Sequence, residues 1–180
     1  SYNVKYPIIF VHGWTGSLKS LKEMQESLDK DGSAQDKGAI YSTTQCNVGS
    51  WPKSVSVNFE YYDDSGDKGI ENYADKLAKA IQTLKSCSSS SEVTIVAHSM
   101  GGLIARTYMQ KYGDASVRKL IMLETPNYGA PLAYFAAEFS PSKLIYSTRE
   151  EYDAGQMQPG SDFLSNLNSN AKECVYRKDK

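Results

Sequence analysis

Val93-Thr94-Ile95-Val96-Ala97-His98-Ser99-Met100-Gly101-Gly102 runs directly into Leu103-Ile104-Ala105-Arg106-Thr107-Tyr108. The first residues are apolar and β-branched and predict a strand, and the last carry apolar positions at helical spacing. A very tight turn joins them, with Ser99 at its apex. Strand and helix nearly collide at such a turn, so the residues two before and two after the serine have to be small. Ala97 and Gly101 meet that demand. The turn lifts the hydroxyl out of the top of a sheet, and the helix N-terminus beneath it favours developing negative charge. The same letters also suit an ordinary buried strand-to-helix turn with an incidental serine. The elbow spacing between a clear strand and a clear helix favours the first reading.

Working upstream, Ile8-Ile9-Phe10-Val11 is apolar without alternation, as a strand buried on both faces should be. His12-Gly13-Trp14-Thr15-Gly16 breaks it. A helix is expected from about Ser17, which can cap it, with Leu18, Leu21, Met24 and Leu28 inward and Gly32 as its stop. Residues 31–52 read mostly as loop, with a short edge strand at Gly38–Tyr41 and Trp51-Pro52 as an anchor. Val55, Val57, Phe59 and Tyr61 alternate with polar partners and predict a strand. Asp63–Asp67 reads as a solvated turn, since a calcium loop's ligand spacing and closing glutamate are absent.

Ile70, Tyr73, Leu77, Ile81 and Leu84 then mark a second helix, and Ser88–Ser91 a linker. Downstream of the elbow, Gly113 is expected to end the helix and Val117–Leu123 to form a strand. Alternating strands and helices imply one parallel sheet covered on both faces. Ligands of such sheets sit at the strands' carboxyl ends, where His12-Gly13 and Ser99 both fall. From Leu132 to Asn170 the pattern loosens, fitting either a helical cap over the site or two helices packed on the sheet. Cys174-Val175-Tyr176 reads as the start of one more strand.

The chain's 180 residues suffice for a single domain with a proper core, and 40% hydrophobic content is ordinary. A net charge of −1 gives no global field to recruit nucleic acid or an anionic membrane. No apolar run approaches the length of a membrane span. A start at Ser1 suits a processed or excerpted protein, and the many Tyr, Ser and Asn residues suit an exported one. Cys46, Cys87 and Cys174 match no zinc or redox spacing. Either two pair and one is left over, or all three are reduced. No phosphate loop or dinucleotide fingerprint is present, so neither cofactor nor metal is expected.

The Ser99 stretch resembles the nucleophile elbow of α/β-hydrolases, in the Ala-x-Ser-x-Gly form of some bacterial lipases. Ile8–Gly16 resembles that family's first strand and oxyanion loop, Leu123–Pro131 the segment after the following strand, and Gln158–Asn168 the end of a lipase cap region. The resemblance implies a three-layer α/β-hydrolase-like sandwich with a mostly parallel sheet, formed by residues 1–180 as a single domain truncated at its C-terminus, with 132–170 as cap or lid. It implies acyl-ester hydrolysis by a secreted lipase or esterase on a small-molecule or lipid ester, with transient contact with a lipid surface. Ser99 would be the nucleophile, and the backbone N–H groups of Trp14 and Met100 would hold the oxyanion.

One part of the family's machinery does not follow. Serine needs a base, and the family takes it from a histidine that follows the serine and the acid in chain order. The only histidines are His12 and His98, and neither follows Ser99. His12 reads as a structural imidazole, and His98, next to Ser99, as one turned away from its hydroxyl. Glu124 ends the strand after the elbow, a position from which some lipases supply their acid. The rival reading is a hydrolase-like binding module, or an inactive fragment, without acid and histidine.

Overall fold

In the structure, a computed structural model, residues 4–131 and 147–169 are described. The elements are β1 Ile8–Val11, α1 Lys22–Lys30, β2 Gln35–Ile40, β3 Val55–Phe59, α2 Ile70–Ser88, β4 Val93–His98, α3 Met100–Tyr112 and β5 Val117–Leu123. Two further helices follow, α4 Thr148–Gln156 and α5 Asp162–Ser169. The five strands form one sheet in the order β2-β3-β1-β4-β5, and every neighbouring pair is parallel. This is the α/β-hydrolase fold expected from the sequence. No helix among the described residues is long and apolar enough to cross a membrane.

β1 lies at the centre, and its four residues explain the three layers. Ile9 and Val11 face the larger core, packed with residues of α2 and α3 together with Ala154, Met157, Leu164 and Leu167. Ile8 and Phe10 face the other side, where Leu21, Ala34 and Val96 close a smaller core beneath α1. Burying an aliphatic or aromatic side chain contributes roughly 1.5–3 kcal/mol, so a strand apolar on both faces is stable only where both are covered.

Several local expectations are corrected. α1 begins at Lys22, not near Ser17, and Ser17 does not cap it. Residues 13–20 turn through backbone bonds Gly16 N–H to Gly13 C=O (3.0 Å) and Ser20 N–H to Ser17 C=O (2.9 Å). Met24 points outward and Gln25 inward, where its amide donates to the carbonyls of Gly38 (3.2 Å) and Ser56 (3.0 Å) and accepts from Asn58. That polar trio makes β3 buried on both faces rather than alternating, and the strand ends at Phe59, short of Tyr61. The edge strand is longer than Gly38–Tyr41, covering Gln35–Ile40. α2 absorbs Ser88 and ends on Ser89, so the serine run is only partly a linker. β2 joins β3 without an intervening helix.

The connection from β2 to β3 is held by a disulfide between Cys46 and Cys87, at the end of α2. Gly49 N–H and Trp51 N–H also donate to the carbonyls of Ser86 (3.0 Å) and Cys87 (2.9 Å). The sequence left this pairing open; Cys174 lies outside the described residues. Of the region 132–170, residues 132–146 and 170 also lie outside them.

α4 and α5 pack on the α2–α3 side. α2 has no side-chain cap of its own at its start, since Gly69 carries no side chain. α4 supplies the acceptors: Asp153 Oδ1 takes the Gly69 N–H (2.8 Å) and Gln156 Oε1 the Ile70 N–H (2.7 Å). Tyr73 donates its hydroxyl to Asp153 Oδ2 at 2.6 Å. Asp153 is 0% exposed. Burial pushes its pKa up to about 6, against the bonds from Tyr73 and Gly69 and the charge of Arg149.

Two outcomes are expected. The 41-residue separation bridged by the disulfide sets a chain-entropy limit of about 4 kcal/mol. Replacing both Cys46 and Cys87 with serine should therefore lower unfolding stability by roughly 2–4 kcal/mol in urea titrations. Asp153 binds its proton more tightly folded than unfolded, where its ordinary value is 3.8. Its contribution is thus fully present below about pH 4 and falls as pH rises through about 6. Asp153→Asn should remove roughly 1–3 kcal/mol of that decline between pH 4 and 7, measured as the wild-type-minus-variant difference in denaturation. A wild type and variant with parallel pH profiles would contradict it.

Candidate active site

Register places the candidate residues. β1 pairs with β4 through Val11 and Ala97, and β4 with β5 through His98 and Leu123. The segments leaving these strands, His12-Gly13, Ser99 and Glu124, therefore emerge side by side at the sheet's carboxyl edge. Ser99 takes φ 52° and ψ −126°, a conformation that residues with a side chain seldom adopt, between β4 and α3. Its N–H donates to the Leu123 carbonyl (2.8 Å), and its own carbonyl accepts from Gly102 N–H (3.0 Å). Among the described residues, the non-glycine positions with positive φ are Thr15 (55°), Ser89 (47°), Ser99 and Glu124 (53°). Ser89 ends α2; the other three lie at this edge. Such residues cost on the order of 1–3 kcal/mol each, and persist where the surroundings over-determine them.

Two glycines allow the segments to meet. A Cβ on Gly13 would lie 2.8 Å from Ser99 Cβ and 3.2 Å from the His98 carbonyl oxygen. A Cβ on Gly101 would lie 2.4 Å from the Val11 carbonyl oxygen and 2.6 Å from that of His12. The loop after β1 thus sits against the elbow at backbone distance. Ser99 itself is half-buried, and Met100 beside it, the first residue of α3, is fully buried.

Trp14, on the loop after β1, is 6% exposed, and its indole N–H donates to the Glu150 carbonyl of α4 at 3.0 Å. The carbonyl of the preceding peptide, that of Gly13, accepts from Tyr61 Oη (2.9 Å) and from Gly16 N–H (3.0 Å). In a trans peptide the N–H points opposite to the C=O, so the Trp14 N–H is directed away from Tyr61.

The histidines are both engaged away from Ser99. His12 is buried, with Nδ1 2.9 Å from the Gly13 carbonyl oxygen and Nε2 2.9 Å from Glu60 Oε1, and its ring stacks on Tyr61 at 4.2 Å. Burial works to raise the pKa of Glu60, but the His12 hydrogen bond and charge and two backbone N–H donors outweigh it and leave it lowered. His98 Nε2 lies 3.6 Å from Glu124 Oε2 in a pair whose side chains are 41% and 80% exposed. Among the described residues no imidazole hydrogen-bonds to Ser99, and no three metal-ligating side chains converge. The Asp63–Asp67 turn is held by Lys76, whose Nζ reaches Asp63 (2.8 Å), Asp67 (3.3 Å) and Ser65 (3.1 Å).

Glu60, Tyr61 and Tyr62 were missed as part of the site. Their proximity to His12–Thr15 follows from β3 lying next to β1, which the chain order conceals. The signal open to a reader was the Glu-Tyr-Tyr run straight after a strand, at the end where ligands bind.

A solved lipase of Bacillus licheniformis, BlEst2 in its mature form, superposes with a TM-score of 0.59 at 19% identity, covering 92% of this chain and 58% of that one. The lin2722 gene product of Listeria innocua superposes with a TM-score of 0.61 at 20% identity, covering 93% and 64%. Phospholipase PlaB of Legionella pneumophila, solved with thio-NAD, gives 0.56 at 21% identity, covering 92% and 33%. This chain therefore spans less than two thirds of the length of each, and at such identities the likeness establishes the fold. No curated protein matches the sequence. The profile of a family described as α/β hydrolases of unknown function (DUF915) matches residues 1–134. With that match over most of its length, and with the hydrolase sheet and elbow in place, the chain belongs to this α/β-hydrolase family.

Proposed function

We propose that this chain carries the nucleophile of a serine hydrolase of carboxylic esters, of the lipase or esterase type. The observation that carries the reading is Ser99 held in left-handed backbone at the elbow, with Gly13 against it and the N-terminus of α3 beneath it. Ser99 Oγ would attack the ester carbonyl, and the oxyanion would be met by the N–H groups of Trp14 and Met100. The alcohol would leave, and water would then cleave the acyl-Ser99 ester. With His12 and His98 both engaged elsewhere, the base is proposed to be a histidine from outside these 180 residues. Glu124, beside the elbow, is a candidate for the acid.

The solved lipase and phospholipase that share the fold support ester substrates. The Cys46–Cys87 disulfide supports an exported protein, because reducing compartments disfavour such bonds. Contact with a lipid surface is proposed for the apolar segment after Pro131, which lies outside the described residues. The same lack of a placed base favours a second reading, a non-catalytic hydrolase-like binding module.

In the full natural protein, Ser99→Ala should reduce hydrolysis of short p-nitrophenyl esters by at least about 10³-fold, with KM little changed. Activity surviving within tenfold would assign the chemistry to another residue. A wild type inert towards both these esters and a fluorophosphonate probe would favour the binding module.

A further inference from the structure

We infer that Tyr61 is a positioning residue, its hydroxyl setting the orientation of the Gly13–Trp14 peptide and hence the aim of the Trp14 N–H at the Ser99 oxyanion. This rests on the hydrolase reading above. Tyr61 is wholly buried, and its hydroxyl lies 2.9 Å from the His12 carbonyl oxygen and 2.9 Å from that of Gly13. One donor is thus shared by two successive carbonyls of the loop that abuts the elbow. The peptide it holds is flanked by a glycine, and glycine makes rotation of the adjoining peptide inexpensive. Gly13 has to be glycine because of the close approach to Ser99, so no side chain of its own restricts this peptide. Within the loop its carbonyl meets Gly16 N–H (3.0 Å) and His12 Nδ1 (2.9 Å), and Tyr61 is the anchor that comes from outside the loop and ties it to the sequence after β3.

The anchor is itself rigid. The Tyr61 ring stacks on His12 (4.2 Å between centroids, planes 18° apart) and packs against Tyr62 (4.6 Å) and Tyr73 (4.8 Å). Burial and the neighbouring Tyr62 and Glu60 push its phenol well above the ordinary tyrosine value, so it remains a donor at any working pH. Its neighbours hold the same loop: Glu60 pairs with His12 (2.9 Å), and Tyr62 Oη accepts from the N–H of Thr15 (3.3 Å), a residue at φ 55°. The run Glu60-Tyr61-Tyr62 therefore grips His12 through Thr15, and Tyr61 holds the peptide that faces the reaction.

The test uses the full natural protein, an alkyl fluorophosphonate and a p-nitrophenyl ester. Tyr61→Phe should slow labelling of Ser99 and lower kcat by about ten- to a hundredfold, with KM within about threefold, as expected when a transition-state contact is misaimed. Tyr73→Phe is the control: it removes another buried hydroxyl of the same aromatic group, bonded to Asp153 instead. It should lower the melting temperature and leave kcat within about threefold. Tyr61→Phe with a lowered melting temperature but wild-type labelling and kcat would overturn the inference, as would a change confined to KM. Should Tyr61→Phe fail to fold, 3-fluorotyrosine at position 61 keeps the shape and strengthens the donor. An unchanged kcat there overturns the inference, and a shift of about twofold or more supports it. If the wild type does not label at all, the hydrolase reading falls and takes this inference with it. A labelling wild type with an unimpaired Tyr61→Phe removes this inference alone.

Discussion

Everything at the carboxyl edge of the sheet depends on how closely the segments leaving β1 and β4 approach. The two strands are paired up to Val11 and Ala97, so their exits start in step. Gly101 then lets α3 pass within van der Waals limits of the Val11 and His12 carbonyls, and Gly13 lets the loop touch Ser99. Side chains at either position would meet backbone or a Cβ, neither of which can move aside cheaply. The elbow and the loop opposite it are thus one packed unit, and the sheet's parallel register is what assembles it.

That unit is strained, and its surroundings hold it. Thr15, Ser99 and Glu124 occupy left-handed backbone within one small region. Polar and aromatic contacts from the next strand over offset the cost: His12 is fixed by Glu60, and two carbonyls of the loop by Tyr61. On its other side Trp14 is tied to α4, which is in turn fastened to the start of α2. The arrangement is stiff from three directions, which suits a site that stabilises charge with fixed backbone dipoles.

Much of this was legible in the letters, for identifiable reasons. The strand–Ser99–helix transition shows because a β-branched run, small flanking residues and helical spacing are all local. β1 shows because burial on two faces leaves an uninterrupted apolar tetrapeptide. Less legible was whatever depends on which elements become neighbours. Gln25 reads as a surface residue until α1 is laid over Ser56 and Asn58. The start of α1 was misplaced because Ser17 looks like a cap, whereas Ser17–Leu21 is taken up by tight turns. Tyr61 reads as the last inward residue of a strand, but it lies beyond β3 and serves the loop of β1. Asp153 shows nothing of its role, since the helix start it caps lies far back in the chain.

The cap that α4 lends to α2 also has a consequence for how the chain matures. Asp153 and Gly69 are 84 residues apart in sequence. A nascent chain made at about 5–20 residues per second would hold the first turn of α2 with open N–H groups for roughly 4–17 s before its acceptors emerge. In that interval Tyr73 lacks the carboxylate that it meets in the finished protein. The sheet up to β5 can assemble on the ribosome, but that end of α2, and the indole of Trp14 with it, settles only after α4 arrives. The Trp14 side chain is therefore among the last of these residues to be fixed, although its loop is among the first to be translated.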